Sequence, residues 1–186
     1  RGRRGGGRDP LAQTFTLGGN VEAPSAQDAN RDRNGVFVTA VEVYFATVDT
    51  VANTPIRMEI RSTTGDARPS TVVIGRSRTL KPKGTDANGN EIDLIQADPV
   101  AASIPTKFTF PDPIYLAPGA TYSFVLLAPQ SVAYNVWTAR HGQAAVNANS
   151  ISDASPGASI LYTTQYAAGS FFKSQNGALW TEDQSQ

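Results

Sequence analysis

The stretch from Gly35 to Ser62, GVFVTAVEVYFATVDTVANTPIRMEIRS, constrains the fold more than any other part of the chain. In its first arm Phe37, Val41, Val43 and Phe45 share one parity, with Thr39 the only polar member, while Glu42 lies on the other. In its second arm Ile56, Met58 and Ile60 alternate with Arg57, Glu59 and Arg61. A repeat of two marks a strand, because successive side chains point to opposite faces. The link VDTVANTP carries Asp49, Asn53 and Pro55, all loop formers, so the two arms are expected to be antiparallel neighbours with one buried and one wetted face. Ile60 then belongs to the core and Arg61 to solvent, where its truncation should cost under about 0.5 kcal/mol.

The same alternation recurs along the chain. LAQTFTL (Leu11 to Leu17), TVVIGRSRTL (Thr71 to Leu80, with Gly75 suited to a bulge), TKFTF (Thr106 to Phe110) and TYSFVLLA (Thr121 to Ala128) all read as strands. So do YNVWTAR (Tyr134 to Arg140), ILYTT (Ile160 to Thr164) and SFFKSQNGALW (Ser170 to Trp180). Pro118-Gly119 predicts a type II turn, and Asn88-Gly89 and Asn176-Gly177 predict tight turns. Lys81 to Ser103 is polar and proline-punctuated and reads as a surface excursion, and no segment has a period of 3.6.

About ten short strands with Gly, Pro and Asn turns between them argue for an all-β fold, an antiparallel β-sandwich of jelly-roll type. The expected core is Phe15, Phe37, Val41, Val43, Phe45, Ile56, Met58, Ile60, Phe108, Phe110, Tyr122, Phe124, Leu126, Val136, Ile160 and Phe171. A length of 186 residues suits one domain. It divides into a flexible Arg/Gly-rich arm over 1–10, a single sandwich domain over 11–182 and a tail over 183–186.

Charge and composition narrow the chemistry. Lys plus Arg number 16 and Asp plus Glu 16, so no global field favours nucleic acid or an anionic membrane. The absence of cysteine excludes disulfides, thiolate metal sites and cysteine nucleophiles, and no apolar run approaches the roughly 18 residues of a spanning helix. The chain starts at Arg1, not Met, as a processed product or part of something longer would. Its opening, RGRRGGGRDP, has the composition of an RNA-clinging tail, but it is short and leads into a neutral domain. Arg1, Arg3, Arg4 and Arg8 are instead expected to form a linker or an arm that docks on a partner.

Candidate sites are few. Asp28, Asn30, Asp32 and Asn34 alternate ahead of Gly35 as oxygen ligands of calcium do, but the position that needs a bidentate Glu holds Val41, so a polar turn is favoured. Asp86, Asn88 and Asn90 have the same turn reading. Neither metal nor cofactor is expected to be required. His141, the single histidine, has no GxSxG, HExxH or phosphate-loop context and is read as a rim hydrogen-bonding residue, not a catalyst. Tyr134, Asn135, Trp137, His141, Gln143 and Trp180 would suit stacking and amide bonding to a neutral glycan, although Trp137 and Trp180 are more often core or interface residues.

The order DPLAQTF (Asp9 to Phe15), GVFVTAVEVYFATVD (Gly35 to Asp49), PIRMEIRSTTGDARPS (Pro55 to Ser70), TKFTFPDPIYLAPGATYSFVLLA (Thr106 to Ala128), YNVWTARHG (Tyr134 to Gly142) and SFFKSQNGALWT (Ser170 to Thr181) resembles a jelly-roll module of large virion structural proteins of contractile-tailed bacteriophages, notably cyanophages. The resemblance spans nearly the whole chain. It implies a tail, baseplate or fibre component of an extracellular virion, made in the host cytoplasm and acting by assembly with other tail proteins and with copies of itself, without catalysis, nucleic acid or membrane insertion. The alternative is an adhesion module that binds host-surface polysaccharide. The Arg/Gly-rich start and the end shortly after Trp180 depart from the family pattern and imply a larger parent.

Overall fold

The computed structural model describes residues 10–17, 34–138, 169–174 and 176–182. Within them lie eleven strands: β1 (Leu11–Thr16), β2 (Val36–Thr47), β3 (Arg57–Thr63), β4 (Pro69–Arg76), β5 (Lys83–Thr85), β6 (Glu91–Asp93), β7 (Pro105–Leu116), β8 (Thr121–Leu127), β9 (Asn135–Val136), β10 (Phe171–Lys173) and β11 (Thr181–Glu182). The described residues contain no helix. Every strand pairing is antiparallel, and the strands form a six-stranded sheet β11-β10-β1-β8-β3-β4, a three-stranded sheet β7-β2-β9 and the separate hairpin β5-β6.

The two larger sheets pack face to face as a β-sandwich. Their shared core joins Phe45 of β2 and Phe108, Phe110 and Leu116 of β7 to Met58 and Ile60 of β3, with Ile56, Ile95 and Tyr134. Phe15, Tyr122, Phe124, Leu126 and Val136 pack against it half-buried, and Phe15 stacks on Phe124 with ring centroids 4.2 Å apart. Each fully buried side chain of this size contributes about 1.5–3 kcal/mol through the apolar area it removes from water.

The arms expected to pair with each other are in different sheets. β2 lies between β7 and β9, and β3 lies between β8 and β4. The link between β2 and β3 is not a hairpin turn: its polar side chains close a local loop and tie it to the distant Ser131 and Lys83. The Asp49 carboxylate accepts hydrogen bonds from the Thr54 hydroxyl (2.5 Å), the Ala52 N–H (3.0 Å) and the hydroxyl of distant Ser131 (2.6 Å). Asn53, at φ 50, accepts from the Lys83 N–H (2.8 Å) and donates to the Lys83 carbonyl (3.2 Å). The chain is thereby carried across the core, and the second arm continues in the opposite layer.

Phe37 is a further correction, since it is 68% exposed. Val38 faces Ile114 whereas Ala40 faces Thr109, so the ladder skips Phe110 to Pro113 of β7. Pro111 and Pro113 have no N–H to give a ladder and are accommodated in this irregularity, which lets β7 run on to Leu116 where a turn had been expected. On β2 the skip changes the inward parity from Val36 and Val38 to Val41, Val43 and Phe45. Phe37 is left outside, its ring 5.3 Å from that of Tyr115.

Two smaller expectations also change. Phe172, not Phe171, is the buried member of β10, and the excursion Lys81 to Ser103 delivers Ile95, 2% exposed, to the core. The expected irregularity at Gly75 is present, because the register of β4 against β3 shifts there. Gly89, Gly119 and Gly177 take φ 85, 71 and 72 at the expected turns. The expected strand Ile160 to Thr164 lies outside the described residues.

Candidate functional site on the outer face of the large sheet

The outer face of the six-stranded sheet is covered, although alternation had assigned it to solvent. Ala12 of β1, Val125 and Leu127 of β8, Phe172 of β10 and Trp180 form a second buried cluster there. Ser174, Gly177 and Trp180 are tied down by hydrogen bonds to Pro10, to one another and to two arginines. The Ser174 N–H donates to the Pro10 carbonyl (3.1 Å), and the Ser174 hydroxyl accepts from the Gly177 N–H (2.8 Å). Arg61 donates through Nη1 to the Gly177 carbonyl (2.9 Å), and Arg68 donates through Nη1 to the Trp180 carbonyl (3.2 Å).

Beside this cover is a buried carboxylate. Glu59 is 1% exposed, and Arg61, paired with it, is 8% exposed, so neither belongs to a wetted face. Arg61 donates Nε (2.9 Å) and Nη2 (2.7 Å) to Glu59 Oε2. Arg57, two residues earlier on the same strand face, donates Nε to Oε1 (3.2 Å), and Arg76, directly across on β4, donates Nε to the same oxygen (3.0 Å). Burial alone would push the Glu59 carboxyl up, but the hydrogen bonds and charges of Arg61 and Arg57 together outweigh it and hold the group below its ordinary value. The side chains of Arg57 and Arg76 keep 38% and 63% of their surface in solvent.

At the other end of this face a cleft of about 390 Å³ is lined by Thr14, Thr16, Asp66, Arg68, Thr121, Ser170 and Glu182, among others. Its polar groups bind one another. The hydroxyls of Thr16 and Thr121 are 2.8 Å apart, the Thr14 hydroxyl accepts from the Ser170 N–H (2.8 Å), and Arg68 pairs with Asp66 (2.9 Å). The arrangement is that of a laced sheet end.

The aromatic candidates do not form one platform. Tyr134 is 7% exposed, and its hydroxyl donates to the Thr54 carbonyl (2.5 Å). Burial, together with the nearby Asp49 charge, pushes its pKa up to about 12. The Asn135 amide donates to the Thr47 hydroxyl. Trp137 is half-buried, and its indole N–H donates to the Asp98 carbonyl (2.9 Å). Trp180 is 5% exposed in the outer cluster, while Tyr134 belongs to the inner core, so sheet β8-β3 separates them. His141, Gln143, Arg1, Arg3, Arg4 and Arg8 lie outside the described residues, as do Asp28, Asn30 and Asp32.

Asn34 is exposed and accepts the Tyr115 hydroxyl on its carbonyl (3.1 Å). Asp86 closes its own turn by accepting the Asn88 and Asn90 N–H groups, each at 2.8 Å. Among the described residues no group of three or more His, Cys, Asp or Glu side chains is placed to hold a metal ion, and no helix is long and apolar enough to cross a membrane.

Sequence reasoning missed the Glu59 cluster. Its signal was the run R-M-E-I-R, which puts a carboxylate between two arginines on one strand face. What the run did not disclose was the third arginine across the ladder and the cover above. No family model, curated protein or solved structure matches the chain.

Proposed function

We propose that the chain is a structural module of a phage tail, in a baseplate, fibre or tail-associated protein, and that it acts by protein–protein assembly in the virion and not by turning over a substrate. The jelly-roll type of sandwich belongs to the same reading. It rests first on the order of motifs from DPLAQTF to SFFKSQNGALWT, whose resemblance to such modules runs through the domain.

The observation that carries it over the glycan-binding alternative is the position of the rings. Tyr134 and Trp180 are buried in separate clusters, whereas Phe37 (68% exposed) and Tyr115 stand together on the outer face of the small sheet. Exposed paired aromatics rimmed by a polar sheet are chemistry suited to a protein contact. Membership of the particle is checked by purifying virions from the host that makes this chain and probing them for it. Presence in stoichiometric amount, with loss of incorporation on Phe37→Ser/Tyr115→Ser, is the expected result. A chain absent from particles that binds host polysaccharide would replace this reading with adhesion.

A further inference from the structure

Glu59 is surrounded by more positive charge than its neutralisation requires. Arg61 alone takes both available bonds on Oε2 and balances the charge of the carboxylate. Arg57 and Arg76 both add an Nε–H to Oε1, so three guanidiniums converge on one carboxylate. No other carboxylate pairs with Arg57 or Arg76 among the described residues, and their terminal Nη groups donate to no acceptor there. Two like charges are thus held at short range on one carboxylate oxygen, both side chains partly in solvent, and the three guanidiniums exceed the single carboxylate in charge, an excess that an added anion would offset.

We propose that Arg57 and Arg76 form an oxyanion-binding site for one carboxylate or phosphate group at the edge of the large sheet. Guanidinium N–H forks match two oxygens of such a group. The buried Glu59 fixes both forks through their Nε atoms, so little side-chain freedom remains to be lost on binding. Exposure of 38% and 63% leaves both side chains within reach of a ligand. The site does not depend on the virion reading, since a free anion and an acidic segment of a neighbouring protein present the same oxygens.

The test is a calorimetric and NMR titration of the full chain with inorganic phosphate, replacing chloride at constant ionic strength. Saturable binding that weakens at least tenfold in both Arg57→Ala and Arg76→Ala, but not in Arg78→Ala, is the expected result. If Arg57→Ala does not fold, Arg57→Gln and Arg76→Gln carry the comparison. A short glutamate-rich peptide that displaces phosphate identifies a protein carboxylate as the ligand, and phosphate binding that the peptide leaves untouched identifies a free anion. Absence of saturable phosphate binding, or equal binding by wild type and both variants, overturns the site.

Discussion

Arg61 reaches under the C-terminal segment and closes two hydrogen bonds on Glu59 Oε2, at 2.9 and 2.7 Å, on a sheet face where both residues are almost wholly out of water. Ile60 between them points to the opposite face and is fully buried in the inner core. Consecutive residues of β3 therefore serve two separate interiors.

Arg61→Ala and Ile60→Ala are expected to destabilise the domain comparably, for different reasons. Losing Arg61 leaves Glu59 paired with Arg57 and Arg76 but strips Oε2 of both its donors and the Gly177 carbonyl of its partner, at about 1–3 kcal/mol for each buried group left unpaired. Truncating Ile60 removes apolar contact and leaves a cavity, at about 2–5 kcal/mol. Urea unfolding of both variants measures this, and an effect near zero at Arg61 would restore the wetted face that alternation alone had assigned.

Acid should unfold the domain through Glu59 and Asp49. Both carboxyls are held below their ordinary values, Glu59 despite its burial by Arg61 and Arg57, and Asp49 by the Ser131 and Thr54 hydroxyls and the Ala52 N–H. A depressed folded value means stability that is fully present above the unfolded carboxylate range, about pH 4, and is lost as pH falls through the lower folded values. Unfolding free energy measured from pH 7 to pH 2.5 should be flat and then fall. In Glu59→Gln and Asp49→Asn the fall should be shallower, and an unchanged slope in both variants would assign acid sensitivity to other groups.

Gly75 and Ile114 pack as a complementary pair between the sheets. A Cβ at Gly75 would lie 2.0 Å from Ile114 Cδ1 and 2.8 Å from Cγ1. Gly75→Val should cost about 1–3 kcal/mol as overpacking, and Ile114→Ala should recover part of that loss. Additive effects of the two substitutions in a double-mutant cycle would show that the sheets do not meet at this point.

Trp180 should report the cover over the outer face. Trp180→Ala is expected to cost about 3–5 kcal/mol, since a large buried ring is removed from the second cluster. Wild-type fluorescence should include a blue-shifted component that is absent from Trp180→Phe. A red-shifted, quencher-accessible Trp180 would mean that the face is open.

Phe37→Ser, by contrast, should change stability by no more than about 0.5 kcal/mol, because the ring is already in water. Any defect in particle incorporation would then be a defect of contact and not of folding. A loss of several degrees in melting temperature would place the ring in the fold after all.

The motif R-M-E-I-R shows how far the candidate site could be read from the chain. Alternation places Arg57, Glu59 and Arg61 on one face, and the structure agrees. It could not tell that Arg76 stands opposite Glu59, because that depends on the register of β4, shifted at Gly75. Nor could it tell that Gly177 and Trp180 would lie above, because the cover is distant in sequence and joins the site through backbone carbonyls that any residue possesses.

By itself the sequence determined the longer strands β1, β2, β3, β4 and β8, their two-residue alternation, and the turns where Gly89, Gly119 and Gly177 accept positive φ, but not the hairpin β5-β6 or the length of β7, since the former depend on local sterics and on which side chains favour a pleated backbone. Tertiary structure decided which strands pair and which faces become dry. A period of two separates the two faces of a strand without saying what will lie against either. Asp49 and Asn53 sent the second arm to the other sheet through bonds to Ser131 and Lys83, the prolines of β7 turned Phe37 outward, and Trp180 made an interior of a face that its residues would have left to water.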